Sequence, residues 1–410
     1  MKILFLSPYI PIPPTFGGAL RIYHLLKGLS KINDVTLLTF GENREKKMLE
    51  EYKGKLFNDF QLVPRPPAWK FRRLYQLYAL MSSKSFFSLF SDSHLMQKKI
   101  DQLLEKNNYD VVQMEFPIMA HFNLKTNAVK ILDEHNVEYD NFKGMWKYQD
   151  SPLKKLHYKK EYEKNYKEEI YACKKMDGLF VVSDRDKSIL DNEVPSLPKF
   201  LVPNGVDTSY FKPSDIVPEP YSIVFTGMMG YVPNHDGMHY FLDKIFPFIQ
   251  KKIPQAKLYI VGSKPPQSLL DRASKDIIVT GYVDDVRDYV WKSSLYVVPL
   301  RSGGGTRLKV LEALSMKKPV VSTTIGCVGI DVVNNDSIFI EDDPKRFADK
   351  CVEILSNNIP KEGIVNKGYE LIKEKYDWDI VVNNMDSVLR TLKYQKDGND
   401  ELGIIEGRAS

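Results

Sequence analysis

The chain has 410 residues, of which 43% are apolar and 27% charged, and its formal net charge is +5. This length is too great for one ordinary core and suits two domains of a globular protein. The modest charge argues against a dedicated nucleic-acid binder. Three cysteines without metal-ligand spacing indicate reduced thiols and not a disulfide framework.

The chain shows no signal for export. The apolar run after Lys2 breaks at Ser7 and Pro8, and no segment approaches the ~20 apolar residues of a membrane span. We therefore predict a cytoplasmic protein. The last six residues, Ile405 to Ser410, resemble a protease site left by an expression vector and are excluded from the predicted fold.

Short, nearly continuous apolar runs alternate with helical stretches along the whole chain. Such runs are typical of parallel strands covered on both faces, so we predict an α/β fold of two tandem doubly wound, Rossmann-like domains. The predicted strands are Ile3 to Leu6, Val35 to Phe40, Val111 to Met114, Val129 to Leu132, Leu179 to Val182, Phe200 to Val202, Ser222 to Phe225, Lys257 to Val261, Ile277 to Thr280, Leu295 to Pro299, Pro319 to Ser322 and Ser337 to Ile340.

A proline-rich polar stretch from Pro203 to Pro220 separates the two predicted domains. We assign residues 1–205 to the first domain and 206–376 to the second. Asp377 is a plausible N-cap for a helix from Trp378 to Tyr394, so residues 377–395 are predicted to return to the first domain. Residues 396–410 are a polar tail.

Two helical segments stand out. Residues 153–176 place Tyr158, Tyr162 and Tyr166 on one face, but a long surface helix with Lys/Glu pairs is the preferred interpretation. Residues 68–90 mix Arg72 and Arg73 with many apolar side chains. This pattern fits contact with an anionic membrane surface or a helix that packs its apolar side on its own domain.

A glycine-rich turn follows the predicted strand at Leu295 to Pro299. Glycines let a backbone approach a ligand closely, and the first amides of the following helix, near Thr306 to Lys309, favour an anion. Arg307 and Lys309 supply positive charge for a phosphate. The three glycines of the turn are Gly303, Gly304 and Gly305.

The loop after the first strand is long and proline-rich, and it ends in Gly17 and Gly18 at a predicted helix start. A dinucleotide-binding fold would carry a tight G-x-G-x-x-G turn here. Glu42 does occupy the place of a ribose-binding acid in such a fold. The missing glycine spacing nevertheless argues against an NAD-dependent enzyme.

Four segments in this order resemble glycosyltransferase family 4, the retaining group 1 glycosyltransferases with the glycosyltransferase B fold. They are Gly17-Gly18, residues 133–138 (Asp-Glu-His-Asn-Val-Glu), residues 202–207 (Val-Pro-Asn-Gly-Val-Asp) and residues 304–319. The resemblance spans most of residues 1–395. It implies two Rossmann-like domains facing a cleft, nucleotide-sugar donors, and no metal or other cofactor.

The resemblance also implies roles for single residues. Glu312 matches the second glutamate of the family's Glu-x7-Glu motif and would bind the donor ribose. His135 falls at the usual active-site histidine and would contact the donor sugar. Gly17 and Gly18 would lie on the acceptor side or bind phosphate. The remaining donor-binding residues would be Gly227, Gly303, Gly304, Gly305, Thr306 and Leu308.

The chain departs from the family pattern at two places. The first glutamate of the motif is replaced by Gly304, and residues 225–234 lack the usual arginine and lysine. We hypothesise that Arg307 and Lys309 replace these diphosphate-binding cations. The simpler alternatives are a local ion pair for Lys309 and a helix-dipole carboxylate for Glu312.

Two further patterns suggest metals but have simpler explanations. Asp184 and Asp186 imitate a metal-binding pair, but with Ser183 they fit a helix cap. His235 and His239 lie one turn apart without further ligands. We predict no metal site.

The predicted function is transfer of a sugar from a UDP-, GDP- or ADP-sugar to a hydroxyl of a saccharide or lipid-linked acceptor, in polysaccharide, lipopolysaccharide or glycolipid synthesis. A catalytically silent nucleotide-sugar-binding module is the alternative, and an NAD-type oxidoreductase is a weaker one. The sequence leaves the donor base, the sugar, the acceptor, the linkage and the oligomeric state open.

Overall fold

The structure, a computed structural model, describes residues 1–147, 149, 151–303 and 305–398. The chain divides into two units. The first contains Met1–Pro203 and the C-terminal segment from Val382, and the second contains Asn204–Val381. The vector-like end, Ile405 to Ser410, lies outside the described residues.

The first unit has a seven-stranded sheet in the order β3-β2-β1-β4-β5-β6-β7. Every neighbouring pair is parallel. The strands are β1 (Lys2–Ser7), β2 (Asp34–Phe40), β3 (Asp59–Val63), β4 (Val111–Glu115), β5 (Val129–Glu134), β6 (Gly178–Val181) and β7 (Lys199–Leu201). The helices are α1 (Gly17–Ile32), α2 (Asn43–Tyr52), α3 (Pro67–Lys70), α4 (Arg72–Met81), α5 (Phe86–Ser91), α6 (His94–Lys106), α7 (Glu138–Lys147), α8 (Pro152–Cys173) and α9 (Asp184–Glu193).

The second unit has a six-stranded sheet in the order β10-β9-β8-β11-β12-β13, and its pairs are also parallel. The strands are β8 (Glu219–Thr226), β9 (Lys257–Val261), β10 (Ile277–Gly281), β11 (Ser293–Val298), β12 (Val320–Ser322) and β13 (Phe339–Ile340). The helices are α10 (Val232–Tyr240), α11 (Phe246–Lys252), α12 (Gln267–Leu270), α13 (Arg287–Lys292), α14 (Leu308–Ser315), α15 (Pro344–Leu355), α16 (Glu362–Leu371) and α17 (Trp378–Lys396), the last of which continues into the first unit.

The two parallel sheets confirm the predicted α/β class. Each predicted strand coincides with an observed one to within about three residues at its ends. β3 was not predicted, because it lies at the sheet edge and only Phe60 and Val63 of its five residues are buried. A half-exposed edge strand lacks the continuous apolar run that marks the central strands.

Strand order reverses between β1 and β4 in the first sheet and between β8 and β11 in the second. Neighbouring connections leave such a switch point in opposite directions, and ligands of doubly wound sheets bind there, beyond the carboxyl ends of the strands. In each unit the loops that follow these two strands are therefore where a ligand site is expected.

Helix α8 differs from the predicted surface helix. Tyr162 and Tyr166 do pack against the core of the first unit. A row of polar residues at four-residue spacing, Glu161, Asn165 and Glu169, is also buried. The interpretation as a surface helix is therefore wrong for this face.

The segment at 68–90 forms the short helices α3, α4 and α5. Of the ten residues of α4, only Ala79 is buried. Leu74 and Leu77 are each 63% exposed, and Met81 is 90% exposed. The interpretation that this helix packs its apolar side on its own domain is therefore wrong for α4. No helix within the described part of the chain is long and apolar enough to cross a membrane.

Candidate active site

In the second unit, loops with left-handed backbone meet the switch point of the sheet. Gly227 follows β8 with φ of +152°, and Gly303 and Gly305 follow β11 with φ of +117° and +71°. Side chains rarely adopt these angles, so the glycines are needed for the loop shape. Gly304, the middle glycine of the predicted turn, lies outside the described residues.

Lys309 reaches from the first turn of α14 back to the loop after β8. Its Nζ donates to Asn234 Oδ1 at 2.8 Å and lies 3.9 Å from the centre of the Phe225 ring. A Cβ on Gly227 would lie only 2.8 Å from this nitrogen. Lys309 is therefore held at the Gly227 loop by Asn234 instead of forming the simple ion pair with Glu312.

Lys309 and Glu312, both half-buried, shift each other's protonation. Burial lowers the pKa of Lys309 to about 7, against the opposing charge of Glu312. Burial likewise raises the pKa of Glu312 to about 7, against Lys309. Glu312 also lies near enough to Tyr296 to raise its pKa, although burial is the larger cause. The site therefore contains an acid and a base that both titrate near neutral pH.

Arg307 is the N-cap residue of α14 and is buried. Its Nε donates to the carbonyl of Ile325 at 3.3 Å. A Cβ on Gly303 would lie 3.1 Å from its Nη2, so the guanidinium folds back against the glycine turn. Burial lowers the Arg307 pKa from its ordinary value. Arg307 and Lys309 thus both belong to the start of α14, after β11, and Lys309 reaches from there to the segment that follows β8.

The helix start is less open than predicted. The Leu308 amide donates to Thr306 at 3.1 Å, and the Val310 amide donates to Arg307 at 2.8 Å. The Leu308 side chain packs against the core of the unit. Leu308 therefore offers a ligand neither a free amide nor its side chain, because a tight turn precedes the helix. Thr306 remains a candidate, since its Oγ1 is buried without a hydrogen-bond partner among the described atoms.

In the first unit, His135 directly follows β5 and is only 5% exposed. Its Nε2 lies 2.7 Å from Glu115 Oε2, and its ring stacks on Phe116 with centroids 3.8 Å apart. Burial lowers the His135 pKa to about 3. The histidine is therefore neutral near pH 7, and it is a buried residue, not a surface one.

A buried ion pair supports His135. Arg21 of α1 donates from Nε and Nη2 to the two carboxylate oxygens of Asp133, each at 2.8 Å. Asp133 Oδ2 lies 3.5 Å from His135 Nε2. Burial, with the charge of Asp133, raises the pKa of Glu115. Arg21 therefore compensates the carboxylates that hold the histidine ring.

Gly18 permits close packing beside this cluster. A Cβ at Gly18 would lie 2.5 Å from Tyr9 Oη and 2.9 Å from Phe116 Cζ. Gly17 begins α1, and a Cβ there would meet nothing within 4 Å. Phe116 itself has φ of +65°, a strained angle for a non-glycine residue. Residues with such strained backbone cluster at active sites and ligand sites.

The residues considered for metals have other partners. Ser183 Oγ accepts the amide of Asp186, as the helix-cap interpretation predicts. His235 contacts the carbonyl of Met229, whereas His239 contacts Ser268. Glu115, Asp133 and His135 could offer three ligand atoms within 4.8 Å of one another. Arg21, however, already binds both oxygens of Asp133.

Glu42 lies at the start of α2, where its amide is bound by Glu45 at 2.8 Å. Its carboxylate pairs with Arg44 at 3.0 Å. These contacts account for Glu42 as a helix-terminus residue, so nothing in them favours the dinucleotide interpretation.

Sequence reasoning missed several residues at both sites. In the second unit these are Asn234, which binds Lys309, Tyr296, which lies near Glu312, and Gly262. A Cβ on Gly262 would lie 1.9 Å from the carbonyl oxygen of Gly227, so this glycine is needed beside the Gly227 loop. In the first unit Arg21 was missed, although an arginine beside Ile22 on the buried side of a helix is a visible signal.

Comparison with known proteins agrees with this architecture. Residues 220–357 match the family model described as Glycosyl transferases group 1. An uncharacterised 44.6 kDa protein of the cps region of Klebsiella pneumoniae is 24% identical over 391 residues, which cover 92% of this chain and 96% of that protein. The capsular polysaccharide biosynthesis glycosyltransferase CapM of Staphylococcus aureus is 22% identical over 42% of this chain and 47% of its own length.

Solved structures share the fold at low sequence identity. HepE of Anabaena, solved with UDP, is 14% identical, has a TM-score of 0.70 and is matched over 95% of this chain and all of that one. TarM has a TM-score of 0.69 at 13% identity over 95% of this chain and 98% of its own. The two-unit architecture is therefore the glycosyltransferase B fold.

Proposed function

We propose that this chain, whose second unit carries a group 1 glycosyltransferase domain on the glycosyltransferase B fold, transfers a sugar from a nucleoside diphosphate sugar to a saccharide hydroxyl with retention of configuration. Capsular or other cell-envelope polysaccharide synthesis is the proposed setting. The name of CapM and the cps origin of the Klebsiella relative support it.

The observation that carries the proposal is the reach of Lys309 to the Gly227 loop. The Nζ of Lys309 bonds Asn234, in the segment that lacks the family's arginine and lysine. This position supports the hypothesis that Lys309 replaces a missing diphosphate-binding cation. Arg307 at the glycine turn would supply the second positive charge, and a bound diphosphate would favour the protonated form of Lys309.

The donor would then bind as follows. Glu312 accepts hydrogen bonds from the ribose hydroxyls, and Lys309 and Arg307 stabilise charge on the leaving diphosphate. HepE has been solved with UDP and with UDP-glucose, which supports a uridine diphosphate donor.

In the transfer itself, the bond between the anomeric carbon and the phosphate oxygen breaks, and a bond to the acceptor oxygen forms on the same face. The acceptor proton passes to the leaving diphosphate, whose charge Lys309 and Arg307 stabilise in place of a metal. Neutral His135 can donate or accept one hydrogen bond through Nδ1, because Nε2 is bound by Glu115, and we propose for it the role in transfer that the family resemblance implies.

The test is a panel of UDP-, GDP- and ADP-sugars, with binding by calorimetry and nucleotide release measured separately, each with and without EDTA. We expect one donor to bind, and Glu312→Gln to weaken it by about 10-fold or more. Glu105→Gln, an exposed carboxylate of α6, is the matched control. Equal donor binding by Glu312→Gln and the wild type would refute the site.

A catalytically silent nucleotide-sugar-binding module is the second candidate, since Gly304 replaces the first glutamate of the family motif. Donor binding without nucleotide release, in the presence of acceptor extracts, would favour the silent module over the transferase. A loss of activity in EDTA that Mg²⁺ restores would contradict the metal-independent mechanism.

We also propose peripheral contact with an anionic membrane through α4. Leu74, Leu77 and Met81 are exposed on this helix, and Arg72 and Arg73 are exposed beside them. Apolar side chains next to basic ones suit the boundary between lipid headgroups and acyl chains.

Sedimentation with phosphatidylglycerol and with phosphatidylcholine vesicles tests this contact. We expect the wild type to bind only the anionic vesicles, and Leu74→Ser with Leu77→Ser to abolish binding. Leu270→Ser, on the exposed side of α12 in the second unit, is the control. Vesicle binding that survives the double substitution would contradict the role of α4.

A further inference from the structure

The first unit contains a cavity of about 250 Å³ at the switch point between β1 and β4. Small-molecule sites usually measure ~300–1,000 Å³, so this cavity suits a small guest of about one sugar ring. Its walls come from the loops after these strands and from α5, α7 and α8. All the lining residues belong to the first unit.

Aromatic rings form much of the wall. Tyr9 packs edge-on against Phe16 with centroids 4.9 Å apart and lies 5.7 Å from Phe116. Phe87 of α5 also lines the cavity. Flat apolar rings suit the C–H face of a pyranose, which buries apolar surface while its hydroxyls stay at the edge.

Two polar atoms of lining residues lack partners. His121 Nδ1 lies 2.7 Å from the carbonyl of Ile118, and because a carbonyl only accepts, Nδ1 carries the proton. His121 Nε2 is therefore a bare acceptor, and it is buried without a partner among the described atoms, as is Tyr9 Oη. Unpaired buried polar atoms cost free energy that a ligand hydroxyl would recover.

Carboxylates of three residues line the same cavity. Glu169 accepts the amides of Glu138 and Tyr139 at 3.0 and 2.9 Å, and Glu168 accepts the amide of Ser85 at 2.8 Å. The third is Glu138, and burial raises its pKa to about 7.

Two further acidic residues lie behind the residues that line the cavity. Glu134 and Glu161 are buried next to the lining residues, and Lys164 pairs with Glu161 at 3.7 Å. None of the described residues that line the cavity is a lysine or arginine. Burial raises the pKa of Glu169 and of Glu134, which lowers the negative charge that they carry. The cavity disfavours anions because its described lining offers no cation to pair with them, and it does so more strongly as Glu138 ionises with rising pH.

We infer that this cavity binds one uncharged sugar ring of the acceptor, with the ring face on Tyr9 and Phe116 and hydroxyls donated to His121 Nε2 and the Glu138 carboxylate. A uronic acid or a phosphorylated sugar is rejected, because its anion would be desolvated among carboxylates. This inference rests on the proposed function for the idea that the acceptor is a saccharide, and it adds which class of saccharide.

Saturation-transfer NMR on the full chain, without donor, tests the inference apart from turnover. The probes are the methyl glycosides of glucose, galactose and N-acetylglucosamine, and the methyl glycoside of glucuronic acid. We expect at least one neutral glycoside to bind, and the glucuronide to bind at least 10-fold more weakly than it at pH 8. Because Glu138 gains charge as the pH rises through about 7, the discrimination should be smaller at pH 6.

Two variants separate the contribution of the Glu138 charge from that of the His121 acceptor. Glu138→Gln should reduce the difference in affinity between the neutral glycoside and the glucuronide. His121→Phe should weaken binding of the neutral glycoside about 10-fold without strengthening binding of the glucuronide. Glu163→Gln, whose carboxylate is exposed on α8, is the matched control. Thermal unfolding of each variant shows whether it has folded.

The possible failures can be told apart. If no neutral glycoside binds, or the glucuronide binds equally well at pH 8, the inference is wrong, even when a nucleotide sugar binds in the same sample. If no nucleotide sugar binds while a neutral glycoside does, the proposed donor site is wrong and the cavity assignment stands.

Discussion

Lys309 and Asn234, which are 75 residues apart in the chain, are joined by a 2.8 Å hydrogen bond from Nζ to Oδ1. The bond links the first turn of α14 to α10, so it ties together the two loops that meet the switch point of the second sheet. A lysine in this position is costly to bury, which favours a ligand that keeps it charged.

The first prediction concerns donor affinity. Lys309→Met keeps the length of the side chain but removes its charge, so binding of a nucleoside diphosphate sugar should weaken by about 10- to 100-fold. Calorimetric titration of the variant measures this. Lys275→Met, an exposed lysine of the same unit, should bind as the wild type does, and unchanged affinity in Lys309→Met would remove this lysine from the site.

The second prediction concerns stability: the same substitution that weakens donor binding should make the protein more stable. The Lys309 pKa is about 7 in the folded protein against an ordinary 10.5, so between these values the unfolded chain binds more protons. The free energy of unfolding contributed by this group therefore rises with pH across that window. Lys309→Met should be more stable than the wild type at pH 7, and by a smaller margin at pH 9.

Urea denaturation at the two pH values measures that margin. Glu312 must be considered with it, because burial raises its pKa to about 7 and its contribution falls as pH rises from about 4.5 to 7. The interval from pH 7 to 9 isolates the lysine. If the stability advantage of Lys309→Met over the wild type grew from pH 7 to pH 9, the prediction would be wrong, because the Lys309 pKa would then not be lowered by folding.

The third prediction concerns the buried pair of Arg21 and Asp133. Arg21→Met leaves the carboxylates of Asp133 and Glu115 without their cation, and it should lower the free energy of unfolding by ~3–5 kcal/mol. Arg21→Met with Asp133→Leu should recover part of that loss. Asp133→Leu alone completes the cycle, and a double variant whose loss in urea equals the sum of the two single losses would mean that the pair carries no coupling energy.

The same cluster shows what the sequence could and could not predict. The continuous apolar runs were enough to find the central strands, because both faces of a parallel sheet are buried and the pattern is local. Arg21, Asp133 and Glu115 come from three elements, and their pairing depends on how α1 packs across β4 and β5. Tertiary contacts of this kind leave no periodic signal.

Polar residues on apolar faces were the systematic difficulty. Glu161, Asn165 and Glu169 recur every four residues on α8, a spacing that also suits solvent-exposed salt bridges. Whether such a row is buried or exposed depends on the helices that pack beside it. Glu169 is buried because it caps α7, an element whose position the sequence of α8 does not contain. At the proposed donor site the glycine turn and Lys309 were visible in sequence, whereas the bond from Lys309 to Asn234 was not.

The last prediction uses Gly262, which follows β9 and packs on the loop at Gly227. A Cβ at position 262 would lie 1.9 Å from the Gly227 carbonyl oxygen, and its φ is +142°. Gly262→Ala must therefore displace the Gly227 loop, which should destabilise the protein by ~1–3 kcal/mol or more and weaken donor binding. Gly281→Ala is the control, because its φ of +70° is also left-handed but a Cβ there would meet nothing within 4 Å. Because φ of +142° is less accessible to alanine than φ of +70°, strain also contributes to the larger loss of stability expected for Gly262→Ala in urea. Weaker donor binding in Gly262→Ala with unchanged donor binding in Gly281→Ala would identify the contact with Gly227 as the element that shapes the proposed donor loop, and equal binding by the two variants would contradict it.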